Sequence, residues 1–318
     1  MPAPEKKPAP KKQPGGSFQW KVTDVLSGLG DWGVALISQV LPVDSVSALG
    51  AWLVPRVIQR SNPNWIARGR DNFLALVPSL DRETAQARSN AQWRNIGRTI
   101  LEVSISHRIC KLGRVTIKGH DGWAEASHRP GPKIFMALHT ANWEVTCHAL
   151  AEQGHIIHAM YMPPRNPLRH ALTRWSRKRG NLVDVLAPGP HTLRRAAKVL
   201  RDGQNLTIYV DEYLRGNVIS PSLGRPRATR SNLAYAVRLG LRTDARLFFC
   251  WAEREETCRF TVHVKPFPSD PHGKSADFDA LLRQADLQLG HIILDNLDQW
   301  FNLHALILPS QPRGEHGS

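Results

Sequence analysis

His139-Thr140-Ala141-Asn142-Trp143-Glu144 holds the residue types that proton transfer to or from a hydroxyl requires. The apolar run Ile134–Leu138 reads as a strand that ends at His139, and a helix is predicted to start near Asn142, a good N-cap residue. Open α/β sheets gather their ligands at the carboxyl ends of strands. Glu144 falls in the first turn of the predicted helix, where its carboxylate can fold back onto the imidazole. Such a carboxylate fixes the ring tautomer and stabilises the imidazolium. The other ring nitrogen then takes a proton from an attacking hydroxyl. No serine or cysteine nucleophile is needed when the hydroxyl belongs to the acceptor. Taken alone, a histidine at a strand end is more often structural than catalytic.

Other charged residues point to the same edge. Asp211 and Glu212 follow the predicted strand Leu206–Val210 and should face the edge that carries His139. Asp211 is expected to orient Arg177 or the acceptor; the plain alternative is a surface turn. Asn166 is expected to cap a helix over Pro167–Arg179, with Pro167 in its first turn. On that helix His170, Arg174 and Arg177 share one face, and Leu168, Leu172 and Trp175 another. Guanidiniums placed there can bind phosphates or a developing oxyanion. Arg225, Arg227 and Arg230 sit on a later loop, as phosphate ligands or as solvated charges.

The elements that must position these groups follow from periodicity. Strands are predicted at Lys133–Leu138, Ile156–Tyr161, Leu182–Leu186, Leu206–Val210, Arg246–Trp251 and Arg259–Val264. Helices are predicted between them at Trp143–Gln153, Pro167–Arg179, Thr192–Asp202 and Ser231–Leu239, with a last one from about Ala276 to Trp300. This alternation implies an α/β fold, a mostly parallel sheet flanked by helices. Upstream, 64–109 reads as helical and divided at Pro78, its second helix beginning at Ser79 or Asp81 with Glu83. Trp93, Ile96, Ile100, Leu101 and Val103 form its broad apolar face.

Composition narrows the partners. The chain has 318 residues, with 42 Lys and Arg against 27 acids and a net charge of +15. An anionic partner is implied: nucleic acid, a phosphorylated small molecule or an anionic membrane. No helix-turn-helix, zinc finger or aromatic RNA motif supports nucleic acid, which stays as the alternative of a different class. A catalytically dead membrane scaffold is a further alternative. Cys110, Cys147, Cys250 and Cys258 lack CxxC spacing, so no metal site is implied. Residues 1–17 read as a disordered basic tail. Residues 18–60 read as N-terminal membrane-associating helices: Trp32–Leu41 is uncharged and closed by Pro42, and Val46–Val54 ends at Pro55. Each is too short for a span of about 20 apolar residues, so an interfacial or re-entrant anchor is expected, with a buried hairpin as the alternative. An α/β domain over 61–305 and a flexible tail over 306–318 complete the division.

The His-x4-Glu spacing, ending Asn142-Trp143-Glu144, resembles the signature of the glycerolipid and lipid A acyltransferase superfamily, and within it the late lipid A branch. Other segments resemble that family in order. They are Arg70-Asp71-Asn72-Phe73 with Pro78, Asn95-Ile96-Gly97-Arg98 with Glu102, Asn166-Pro167-Leu168 with Arg177, Asp211, Gly224-Arg225-Pro226, and Trp300 to His304. Asp211-Glu212 departs from the family's Asp-Gln or Asp-His, and no basic pair follows His304. The resemblance implies transfer of a fatty acyl chain from a thioester to a lipid hydroxyl, with His139 and Glu144 catalytic. Arg177, Asp211, Asn142, Arg174, Arg225 and Arg230 are implied as substrate or oxyanion contacts. It implies acyl carrier protein or coenzyme A as the donor's carrier, and no metal or organic cofactor. The acceptor is expected to be an anionic glycolipid such as a lipid A precursor, or another membrane lipid. The place of work is expected to be the cytoplasmic face of the inner membrane, by peripheral or monotopic attachment.

Overall fold

The computed structural model describes residues 22–118, 124, 130–155, 157–160, 164–179, 184–186, 189, 191–214, 216–267 and 277–309. The predicted basic tail at 1–17 lies outside these residues. Four helices lead the chain: α1 (Val22–Val40), α2 (Val43–Ser61), α3 (Pro63–Leu76) and α4 (Arg82–Glu102). A short α5 (Ser106–Lys111) follows, then β1 (Val115–Lys118). The remainder alternates: β2 (Lys133–Ala137), α6 (Glu144–Glu152), β3 (Ile157–Met160), α7 (Pro167–Lys178), β4 (Asp184–Leu186), α8 (Thr192–Arg201) and β5 (Asn205–Tyr209). A small hairpin of β6 (Tyr213–Leu214) and β7 (Asn217–Val218) precedes α9 (Asn232–Thr243), β8 (Arg246–Glu256), β9 (Arg259–Pro266) and α10 (Phe278–Asp295).

The main sheet runs β1-β9-β8-β2-β5-β3-β4. Its pairings are parallel except β8 with β9, so β2, β5, β3, β4 and β8 all end at one edge. Both faces are covered, and the strand residues divide by alternation. Ile134, Met136 and Leu138 join the core formed with α8, α9 and α10, while Phe135 joins the core with Ile105, Ile109, Val145 and Leu150. The predicted strands and helices are present, their described ends shifted by a few residues; the predicted ends at Ile156, Tyr161, Leu182 and Ala276 lie outside the described residues. The larger differences are β8, which runs five residues beyond the predicted Trp251 to Glu256, and α10, which stops at Asp295 where 3-10 turns take over. β1 and the β6–β7 hairpin had no sequence signal, being short runs without a continuous apolar stretch. Leu306 and Leu308 are buried, so the core extends past 305 into the segment read as a tail.

Helix signals read locally are accurate where a side chain caps the helix. Asp81 accepts a hydrogen bond from the Thr84 N–H, and Asn166 accepts from the Leu168 and Arg169 N–H groups. Pro55 does not end α2 as predicted; the helix continues to Ser61. A proline removes only one backbone donor, and Val54 beside it packs on Gly97 of α4. Gly50 and Gly97 meet backbone to backbone at this crossing, and a Cβ on either would overlap the other's carbonyl group. Gly97→Ala is therefore expected to destabilise the protein by about 1–3 kcal/mol through overpacking. Gly30→Ala, in open space on α1, should instead gain up to about 1 kcal/mol of helix propensity. Urea melts of both variants check the pair; equal effects would remove the crossing as the explanation.

One face of α1 is buried against α7. The Trp32 Nε1–H donates to the Leu168 carbonyl (3.1 Å), Asn166 donates to the Asp24 carbonyl (2.8 Å), and Trp32 packs on Trp175. The opposite side is apolar and exposed. Leu26, Leu29, Ile37 and Val40 recur at helical spacing on α1, and Leu49, Trp52, Leu53 and Val57 continue the surface on α2. The segment is thus a docked hairpin with an uncovered apolar face. No helix among the described residues is long and apolar enough to cross a membrane.

Candidate active site

The strand-to-helix turn after β2 is built by its backbone. Ala141 adopts a left-handed conformation (φ 45°), which costs a non-glycine residue on the order of 1–2 kcal/mol. Thr99 Oγ1 donates to the Ala141 carbonyl (2.8 Å), and the Ala141 N–H donates to the Gln299 carbonyl (2.9 Å). Phe301 N–H donates to the His139 carbonyl (2.8 Å), and Thr140 bridges to Trp300. These contacts fix His139 at the sheet edge, where its side chain is 27% exposed.

The carboxylate that holds the imidazole belongs to Asp211. Parallel pairing of β2 with β5 sets Ala137 opposite Tyr209, so the residues two positions beyond each strand end become neighbours. Asp211 Oδ1 lies 2.8 Å from His139 Nδ1, and Oδ2 accepts from the His139 backbone N–H at 2.9 Å. The Trp300 indole N–H also donates to Oδ2 (2.9 Å), and the Asn302 amide donates to the Asp211 carbonyl (2.9 Å). Asp211 is completely buried, so the three donors on its carboxylate, two from His139 and one from Trp300, stand where water would otherwise solvate the charge. The Tyr209 ring stacks on the imidazole with centroids 4.4 Å apart, and Trp143 meets it edge-on at 5.2 Å. With Nδ1 occupied by a carboxylate, Nδ1 carries the proton and Nε2 is the basic nitrogen.

Glu144 is not bonded to His139; no hydrogen bond joins the two among the described residues. Its carboxylate instead receives a fork from Arg177, Nε to Oε2 at 3.0 Å and Nη2 to Oε1 at 2.6 Å. Burial raises the Glu144 carboxyl, but the charge and hydrogen bonds of Arg177 outweigh it and hold the group below the usual carboxylate range. Burial acts against the Arg177 cation, and Glu144 more than restores it. The pair is an ionised, bidentate unit, with side chains 11% and 6% exposed. The physical reason for the correction is reach: Arg177 approaches from α7 and satisfies both Glu144 oxygens, while Asp211 comes from the adjacent strand. Asp211 therefore orients His139 rather than Arg177.

Other predicted residues separate. Asn142 is fully buried and away from any substrate surface. Its amide donates to Glu102 and Ser106, and its oxygen accepts the Glu144 N–H at 3.2 Å, so it shapes the turn into α6. Arg174 is exposed one turn from Arg177. Arg225 is consumed by its own loop, donating to the carbonyls of Ser222, Val218 and Pro221. A guanidinium committed to three carbonyls is not the phosphate ligand expected of it. Arg230 is exposed on the residue before the α9 cap and does not line the cleft described next.

A cleft of about 510 Å³ opens over these groups. His139, Glu144, Arg177 and Glu212 line it, and Val103, Trp143, Met160, Leu214 and Phe301 supply apolar wall. It joins one basic imidazole nitrogen, one fixed cation and room for a hydrocarbon chain. Such a set can deprotonate a hydroxyl and stabilise the anion formed when it attacks a carbonyl. Among the described residues, no group of His, Cys, Asp and Glu is arranged to hold a metal ion.

The sequence profile of the family described as bacterial lipid A biosynthesis acyltransferase matches residues 25–308. The chain belongs to this acyltransferase family. The match takes in most of α1 and all of α2. No curated protein matches the chain in a sequence search. As a lipid A biosynthesis acyltransferase it is an O-acyltransferase acting on a lipid A-like acceptor, and the resemblance of the His139–Glu144 segment led to the same superfamily. Trp300, Asn302 and Tyr209 are site residues that sequence reading did not single out for this role. Their only signal was position: Tyr209 ends the strand before Asp211, and Trp300 opens the segment resembling the family's closing motif.

Proposed function

We propose that this protein transfers a fatty acyl chain from acyl carrier protein to a hydroxyl of a lipid A precursor, as a late-branch acyltransferase. The observation that carries the proposal is the His139 imidazole, clamped through Nδ1 by a buried carboxylate and opening onto a cleft with a fixed arginine. Nε2 takes the proton of the acceptor hydroxyl as its oxygen attacks the thioester carbonyl. Arg177, locked by Glu144, meets the oxyanion of the tetrahedral adduct. Collapse of the adduct breaks the carbon–sulfur bond. The thiolate leaves with the proton from the imidazolium, giving an ester and a free thiol. Glu144 thus acts through Arg177, and Asp211 supports the imidazolium. The mechanism uses no metal or organic cofactor.

An acidic carrier protein complements the +15 charge of the chain. The apolar side of α1 and α2 suits the surface of a membrane, with Trp52 at head-group depth beside Arg56, whose guanidinium lies 4.7 Å from its ring. These features support a reading in which the protein works at the cytoplasmic face of the inner membrane by peripheral or monotopic attachment. The test is mass spectrometry of lipids from cells with and without the protein and with His139→Ala. Loss of a single acyl chain from one lipid A species in both the deletion and the variant is expected. An unchanged lipid A profile would remove the proposal.

A further inference from the structure

A second cavity, of about 240 Å³, adjoins the catalytic cleft. The two share Tyr213, Phe301 and Asn302, and Asn302 is the residue that binds the Asp211 carbonyl. Trp65, His304 and Arg68 line the rest of it, with the small residues Gly216 and Ala305. The Trp65 and His304 rings lie 5.1 Å apart, with Trp93 behind both. Burial pushes the His304 imidazole down to about 4, with a further contribution from the charge of Arg68, so it is neutral at physiological pH. Arg68 is half-buried on α3 and has no hydrogen-bond or ion-pair partner among the described residues. Nearby arginines differ: Arg70 pairs with Asp71, and Arg88 pairs with Asp298.

We infer that this cavity is the subsite for the phosphorylated sugar of the acceptor, with Arg68 as the phosphate's cation and Trp65 as the platform for the sugar ring. The inference rests on the acyl-transfer reading and names where the acceptor's head group lies. Three features support that class of ligand over a second acyl chain. The cavity ends on a cation that no group among the described residues pairs with, and a half-buried guanidinium gains most from a doubly charged, bidentate oxygen ligand. An indole that is 39% exposed, braced by a second indole and an imidazole, offers a flat apolar surface to a pyranose. The cavity and the cleft lie against each other across Tyr213, Phe301 and Asn302, close enough for one molecule to present a hydroxyl to His139 while its head group sits beside Arg68. The acceptor phosphate and free inorganic phosphate offer Arg68 the same chemistry, and the experiment separates them.

Wild type, Arg68→Gln and Arg68→Lys are titrated by tryptophan fluorescence with three probes: a micellar phosphorylated diglucosamine lipid, its dephosphorylated form, and inorganic phosphate. Wild type is expected to prefer the phosphorylated lipid by about ten-fold, the worth of one charge-assisted contact. Arg68→Gln should lose that preference while keeping its affinity for the dephosphorylated lipid, and Arg68→Lys should keep part of it. Inorganic phosphate should compete only at much higher concentration, because it lacks the sugar and the chains. Equal preference in wild type and Arg68→Gln overturns the subsite, as does inorganic phosphate binding as tightly as the lipid. Acyl transfer by wild type is assayed beside the titrations. Transfer without the preference overturns the subsite alone; the preference without transfer overturns the acyl-transfer reading and leaves the subsite standing.

Discussion

Asp211→Asn is expected to lower kcat for acyl transfer by about 10⁴-fold while leaving the fold intact, the magnitude seen when a histidine is forced into the wrong tautomer. The geometry dictates how the amide must sit. Oδ2 receives the His139 N–H and the Trp300 Nε1–H, so the amide oxygen has to take that position. The amide NH2 then faces Nδ1, 2.8 Å away in the native pair. Two N–H groups cannot share that contact, so the ring must carry its proton on Nε2. The nitrogen that should accept the hydroxyl proton is then blocked. Binding of both substrates should change little, because Asp211 is fully buried and touches neither. Steady-state kinetics with a melting curve check this. A variant that keeps more than about a tenth of wild-type kcat would show that Asp211 does not set the tautomer.

Arg254→Met is expected to destabilise the protein by about 3–5 kcal/mol, because it leaves Glu102 buried without its counter-charge. The Glu102 side chain is completely buried and that of Arg254 is 5% exposed. Two parallel bonds of 2.8 Å join them. Such a loss is a large share of the stability typical of a folded domain, about 5–15 kcal/mol. The apparent Tm should fall on the order of 10 °C. Glu102→Met combined with Arg254→Met should recover most of it, since apolar pairs of similar volume replace buried ion pairs at little cost. The double variant should nevertheless lose activity. The Asn142 amide donates to Glu102 Oε2, and the same side chain accepts the Glu144 N–H, so the ion pair anchors the turn that presents His139 and Glu144. Urea melts of the single and double variants measure the first effect and acyl transfer the second. Equal stability of wild type and Arg254→Met would refute the buried-charge argument.

What the amino-acid sequence determined here is local. The apolar run of β2 and the Asp81, Asn166 and Ser231 caps act within one element or one turn, where propensity and hydrogen bonding to near neighbours decide. His139 at a strand end was therefore legible, and so was the edge of the sheet that holds the site. Its partner was not. Glu144 is five positions away and Asp211 is 72, so a local reading favours Glu144; the β2–β5 register reverses that choice. The same holds for Arg177, whose place beside Glu144 depends on how α7 packs, and for Arg225, whose loop turns its guanidinium inward onto three carbonyls. Charge type can be read from a residue name. Which opposite group satisfies it depends on strand register and helix packing, because a buried charge takes whichever partners the fold brings within about 3 Å.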